Sequence, residues 1–204
     1  MHDNDEIIKK QNAKKIIKEK FLEVYKKESL NRIKVSDLAA ACEISRGTFY
    51  FHFEDVYALY RACEQDIIDF LEDGISEIHL VSLLRDLEKH IEVYSRFLKK
   101  YIANNEMLKC FLKGSEEASF RQVWFNSIYR NFEKSMTFSF DMPQAKRDNL
   151  VRFFAGGLLA LQSNWILTDC KEPVEDIAHI HVQVLYDGIL FQNSDKSSNS
   201  FLQR

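Results

Sequence analysis

Residues Lys34 to Phe53 read KVSDLAAACEISRGTFYFHF, and this stretch decides the fold. Val35, Leu38, Ala39 and Cys42 fall on one face of a short helix expected over about Ser36–Cys42, with the Ser36 hydroxyl placed to cap it. Ala39 is small where a crossing helix must come close. Glu43-Ile44 makes a turn, and Ile44 can plug the angle between helices. Ser45 can cap a second short helix over about Arg46–Phe51, whose first turn is Arg46, Gly47 and Thr48. Phe49 and Phe53 lie four apart and point inward, while Tyr50 and His52 lie on other faces and can donate to phosphates. Two short helices around a tight turn, in this register, form a helix-turn-helix. The first turn of its second helix is the part that meets base edges in a major groove.

The segment before it supports a nucleic-acid partner. Between Lys9 and Lys34 there are ten Lys or Arg against three acids, Glu19, Glu23 and Glu28. The net charge of the chain is -3, so one basic end sits on an acidic body. Such an end binds phosphate locally, while the acidic remainder resists non-specific adhesion.

The rest of the 204 residues reads as helical. The two prolines, Pro143 and Pro173, fall at expected helix starts, where a missing N–H costs little. Thr137–Phe140 alternates but is short and precedes Asp141-Met142-Pro143, so it reads as a loop. Helices are expected over about Asp5–Glu28, from Glu54-Asp55 with a stripe of Val56, Tyr60, Cys63, Ile67 and Leu71, and over Val81–Ala103, Glu106–Lys113, Ser115–Met136, Gln144–Thr168 and Pro173–Phe191. Gln192–Arg204 is polar and reads as a frayed tail. The architecture implied is all-α with about nine helices. Residues 1–53 form the helix-turn-helix domain, 54–191 a larger body and 192–204 a tail.

Composition narrows the classes further. Apolar residues make up 46% of the chain and charged residues 29%, enough for a core and for solubility. No apolar run reaches the ~18 residues a membrane span needs, and MHDNDEIIKKQ lacks the apolar segment of a signal peptide. A cytoplasmic protein is expected. Cys42, Cys63, Cys110 and Cys170 are far apart and form no CxxC pair, which argues against zinc or a disulfide framework. No phosphate loop, nucleophile elbow or HExxH occurs. Glu175 and His179, with His181 nearby, are too few ligands for a metal centre. No enzyme, cofactor or metal is implied.

The register of Val35-Ser36-x-Leu38-Ala39, Ile44-Ser45-x-Gly47-Thr48-Phe49-Tyr50 and His52-Phe53 resembles the TetR family of bacterial transcriptional regulators. The resemblance covers about Ala13–Ala62. It implies a dimeric repressor on a palindromic double-stranded operator, released by a small-molecule effector. By resemblance Ser36, Arg46, Thr48, Tyr50 and His52 contact DNA, with phosphate contacts from Lys34 and the Lys9-Lys10-Lys14 group. The whole expected site takes in Lys34, Ser36, Ser45, Arg46, Gly47, Thr48, Phe49, Tyr50 and His52.

Three positions depart from the family pattern. Glu43 stands where glycine is usual, and Glu54 and Val56 stand where lysines are usual. They motivate an alternative, a co-regulator that keeps the fold and acts through a protein partner.

In the body, Leu150, Phe154, Gly157, Leu158, Leu161 and Trp165 share one stripe, and Val174, Ile177, His181, Val184 and Gly188 another. Glycines inside a helix cost about 1 kcal/mol each relative to alanine, which close packing of another helix can offset. The last two helices of TetR-like proteins pair with their symmetry mates. The dimer interface expected here is therefore Phe154, Gly157, Leu158, Leu161, Trp165, Ile177, His181, Val184 and Gly188, against the plainer reading of a monomer core. The F-x-x-G-G…W pattern also resembles, more weakly, the C-terminal domains of dihydroxyacetone-kinase regulators. Phe97, Tyr101, Phe111, Phe120, Trp124 and Tyr129 are candidates for an effector pocket, against the reading of an aromatic core. Arg121, Gln122, Asn126 and Arg130 could add polar contacts or form a solvated face.

Overall fold

The computed structural model describes residues 2–76, 86–114, 116–137 and 143–194. Among them there are nine α-helices and no strand: α1 His2–Tyr25, α2 Val35–Ala41, α3 Arg46–His52, α4 Val56–Ser76, α5 Leu87–Ala103, α6 Asn105–Lys113, α7 Glu117–Thr137, α8 Gln144–Leu167 and α9 Val174–Ser194. A 3-10 turn, Leu30–Arg32, lies between α1 and α2. The expected Thr137–Phe140 loop falls outside the described residues except for Thr137, which ends α7. α9 runs three residues into the expected tail; residues 195–204 lie outside the description.

The chain forms two compact units. The first joins residues 1–71 to 106–123, and the second joins 72–105 to 124–204. The first unit thus extends well past residue 53. Its core is built on Ile17, Phe21, Leu38, Phe49, Leu59 and Phe111, all sealed from solvent. Tyr25 is the hub of an aromatic cluster: it stacks on Phe21 at 5.4 Å and meets Tyr60 and Phe111 edge-on at 5.6 and 5.7 Å. Gly114 is required beside it. A Cβ there would stand 2.1 Å from the Tyr25 hydroxyl oxygen and 2.9 Å from the Cys110 carbonyl oxygen.

In the second unit, α5 and α9 make the most extensive helix pairing. Asp86 caps α5 at Leu87 by accepting from the Lys89 amide at 3.0 Å; the expected start at Val81 lies outside the described residues. Trp124 and Trp165 are both buried. A polar chain threads this core: Gln162 donates to the Tyr94 hydroxyl at 2.7 Å and accepts from the Tyr101 hydroxyl at 3.4 Å. His181 stacks on Tyr94 with ring centres 4.1 Å apart. The Nε2 of buried His90 has no hydrogen-bond partner. Desolvation pushes His90 down to about 4, and desolvation followed by repulsion from His90 pushes His181 down to about 3, so both rings are neutral.

Among the described residues one helix, α8, is long and apolar enough to cross a membrane, with an 18-residue window of mean hydropathy 1.3. The length-and-composition expectation missed it, because polar residues interrupt the apolar run. Its buried residues Val151, Ala155, Trp165 and Ile166 mark it as a core helix.

Candidate nucleic-acid interface

The turn between α2 and α3 is held by backbone geometry. Glu43 adopts φ 56°, the left-handed region where a side chain is strained. In return its amide donates to the Ala40 carbonyl at 3.1 Å and the Ile44 amide to that of Ala39 at 3.0 Å, which satisfies the end of α2. α3 starts as expected: Ser45 is extended, and its hydroxyl oxygen accepts from the Thr48 amide at 3.0 Å. The Thr48 hydroxyl shares a hydrogen bond of 2.9 Å with the same oxygen. Ser36 does not cap α2. The helix begins one residue earlier, at Val35 with Lys34 before it, and the Ser36 hydroxyl bonds the Asp37 carboxylate at 3.0 Å.

Around these helices lies an open cleft of about 460 Å³, walled by Lys34, Ser36, Arg46, Tyr50, Asp55 and Tyr57 over a floor that includes Ile33 and Val56. Four expected DNA contacts, Lys34, Ser36, Arg46 and Tyr50, are therefore brought together. Gly47 is exposed, and a Cβ there would meet only Ser45 Oγ at 3.6 Å, so the backbone lies open to close approach. Phe49 is a correction: it is fully buried and cannot touch DNA, because it anchors α3 in the core beside Phe53, 5.9 Å away. His52 is half-buried, with its ring 5.1 Å from Phe51 and 6.4 Å from Phe53.

At the start of α4 one of the two departures, Val56, finds a physical role, beside a cap from Asp55. Asp55 accepts from the Ala58 amide at 2.6 Å and caps the helix, where a negative charge suits the helix dipole. Val56 is buried in the cleft floor, a place no lysine could fill without desolvating its charge. Glu54 is exposed.

On α1, Lys14 lies 6.0 Å over the Phe53 ring, and Lys18 is tied to α4 through Asp66 at 2.5 Å and the Ala62 carbonyl at 3.2 Å. The side chains of Lys9 and Lys10 lie outside the description. Two aromatic residues escaped the sequence reading. Tyr57 joins the cleft, and Phe51 is 65% exposed on α3. Phe51 was legible: it lies one turn beyond Gly47, on the outward side.

The expected pocket residues divide between the units. Phe111 and Phe120 pack at 5.3 Å in the first, while Phe97, Tyr101, Trp124 and Tyr129 belong to the second. All but Tyr129 are buried. The expected dimer face also needs correction. Phe154, Leu158, Trp165 and Ile177 are buried within the chain, and His181 is spent on Tyr94. Gly188 makes room for Phe154, whose Cζ would lie 2.6 Å from a Cβ there. Gly157 and Val184 do face outward, joined by Phe153, 69% exposed, and by exposed Ile180.

A capped helix set across a second short helix, with cations and hydroxyls converging on one outward cleft, defines a helix-turn-helix DNA-binding transcriptional regulator. The family described as "Transcriptional regulator C-terminal region", TetR_C_8, matches residues 87–187. The fold is similar to that of a TetR-family transcriptional regulator from Streptomyces coelicolor, at TM-score 0.62 and 16% identity over 89% of this chain and 84% of that one. It is similar also to DhaS, described as a dihydroxyacetone kinase operon activator, at TM-score 0.60 and 17% identity over 88% and 97%. FadR from Bacillus subtilis, solved in complex with stearoyl-CoA, gives TM-score 0.56 and 16% identity over 85% and 97%. Among curated proteins no sequence matches. The chain belongs to the TetR family of transcriptional regulators.

Proposed function

We propose that this regulator is a cytoplasmic, dimeric repressor that binds a palindromic operator and is released by a small-molecule effector. The observation that carries the reading is the convergence of Lys34, Ser36, Arg46 and Tyr50 on one cleft beside the open backbone of Gly47. Arg46 has the donor fork for guanine, and Lys34 and the Tyr50 hydroxyl suit phosphate. The working division is a DNA-binding part within residues 1–53 and an effector and dimerisation part within 54–191.

Two outward helices supply the twofold contact. Phe153, Gly157, Ile180 and Val184 form the exposed apolar face of α8 and α9. On a palindrome whose half-sites lie one turn of DNA apart, the dimer must present its two copies of α3 about 34–36 Å apart. The effector site belongs to the second unit, among Phe97, Tyr101, Trp124 and the polar Gln162. The stearoyl-CoA complex of B. subtilis FadR makes an apolar acyl chain the first class of effector to try. Chain connectivity offers the route for a switch: α4 passes from one unit into the other after Leu71, and α7 after Val123. An effector that favours one setting of these helices shifts the spacing of the two α3 copies and removes joint binding.

The test is selection of bound duplexes from random DNA, followed by gel shifts. A palindrome with half-sites one turn apart is expected, with affinity falling steeply as salt rises. Arg46→Ala and Tyr50→Ala should each weaken binding about tenfold or more. Absence of any retained duplex at low salt sinks the reading. A co-regulator acting mainly through a protein partner is the second reading, favoured by exposed Glu54 beside the cleft and by the activator role described for DhaS.

A further inference from the structure

We infer that Phe51 is a specificity residue, reading the C5-methyl of one thymine in each half-site; this rests on the DNA-binding reading above. Among the described residues of the first unit Phe51 is the most exposed large apolar side chain, at 65%. It sits on a helix of seven residues whose other aromatic anchor, Phe49, is wholly buried, so α3 does not need Phe51 for its core. It lies one helical turn after Gly47, where the surface is open, and next to exposed Tyr50. A partner that comes close at Gly47 therefore meets Phe51 on the same side of α3.

The chemistry selects what Phe51 can read. Its ring has no donor or acceptor, so it cannot hold a phosphate or pair with a base edge through hydrogen bonds. The thymine methyl is the apolar feature that base pairs present in the major groove. Charge complementarity favours DNA rather than an apolar protein on this face, because Arg46 and Lys34 stand against the single acid Asp55 in the cleft beside Tyr50. The edge-on contact with His52 at 5.1 Å gives the ring a neighbour to lean on.

The experiment uses the full chain and the duplex that it selects from random DNA. Each thymine is replaced in turn by deoxyuridine, which removes only the methyl. Wild type should lose about fourfold in affinity per half-site at one symmetric thymine position, the worth of one buried methyl-sized group. Phe51→Ala should bind the thymine and deoxyuridine duplexes equally, and Phe51→Val should restore part of the discrimination. Selection repeated with Phe51→Ala should lose the preference for thymine at that position and keep the remainder of the half-site. Uniform deoxyuridine tolerance by wild type, or an unchanged preference in Phe51→Ala, overturns the role of Phe51 while leaving DNA binding intact. Failure to select any duplex overturns both.

Discussion

Helices α3 and α8 pose opposite problems. α3 has seven residues and mixes Arg46, Gly47, Tyr50 and His52 with one fully buried anchor, Phe49. Its start is pinned by the Ser45 cap, so each later residue has a fixed bearing on the helix wheel. α8 has 24 residues and carries apolar neighbours side by side: Phe153-Phe154, Ala155, Gly156-Gly157 and Leu158-Leu159-Ala160. A shift of one residue turns a helix by about 100°. In α8 that shift exchanges Phe154, 7% exposed, for Phe153, 69% exposed, without breaking the hydrophobic pattern. A capped helix with polar contrast declares its outward face; a helix whose central turns are apolar at adjacent positions does not.

The comparison can be broken first at the cores. Trp165 is buried on α8, and its indole N–H donates to the Glu172 carbonyl at 3.0 Å. Trp165→Ala should destabilise the protein by about 3–5 kcal/mol, read as a fall in the urea midpoint. The first unit has its own tight point at Gly114. Gly114→Ala forces the Tyr25 ring and the Cys110 carbonyl apart and should cost about 3 kcal/mol, the upper end for overpacking. On the outward face of α8 the sign reverses. Gly157 has open space around it, so Gly157→Arg should leave the fold intact and turn the proposed dimer into a monomer by light scattering. A dimer that survives Gly157→Arg removes this face from the assembly.

A second contrast is one of pH. His90 is held neutral in the second unit, with its affinity for a proton pushed down to about 4 from the ordinary 6.5. The unfolded chain therefore binds more protons than the folded one between those values. Stability is full above about pH 6.5 and falls as pH drops toward 4, by up to about 1.4 kcal/mol per unit for this group. His181 shares the direction, for the same cause. Unfolding free energies from urea titrations at pH 7 and pH 5 should differ by roughly 2 kcal/mol from His90 alone, in favour of pH 7, with His181 adding in the same direction. His181→Phe should flatten the slope while keeping a ring on Tyr94.

Much of the helix-turn-helix was legible because its signals are local. Ser45, Glu43-Ile44 and Ala39 each act within a few residues of backbone, and the structure uses all three. Ser36 was misread because a residue one position away can start the same helix without a side-chain cap. The cleft was half legible. Lys34, Arg46 and Tyr50 lie within one motif, but Tyr57 reaches it from α4 through tertiary packing that no spacing reveals. The aromatic candidates were legible as buried residues, and their division between two units was not, since Phe111 and Trp124 are separated only by where the chain crosses. Ser45→Ala then tests the local signal directly. Loss of the cap should cost about 1 kcal/mol of stability and weaken operator binding further, because Arg46 and Gly47 follow it immediately.

The smallest effect concerns the two turns that end helices α2 and α8. Both close with a left-handed residue and a backbone bond back into the helix, and the second turn adds another left-handed residue, Cys170 at φ 50°. Glu43 at φ 56° and Asp169 at φ 66° are left-handed, and the residues after them, Ile44 and Cys170, donate back to Ala39 and Trp165 at 3.0 and 2.9 Å. A side chain in that region costs about 1–2 kcal/mol, and glycine does not incur it. Glycine also loosens the unfolded chain, which returns about 0.4–1 kcal/mol. Glu43→Gly should therefore stabilise the protein by roughly 0.5–1 kcal/mol, seen as a small rise in Tm. Because the turn fixes the angle between α2 and α3, the substitution should leave the selected operator sequence unchanged. A Glu43→Gly variant that gains stability but loses operator affinity would show that the strained turn sets the α3 angle DNA requires, and that its left-handed residue is kept for binding rather than tolerated.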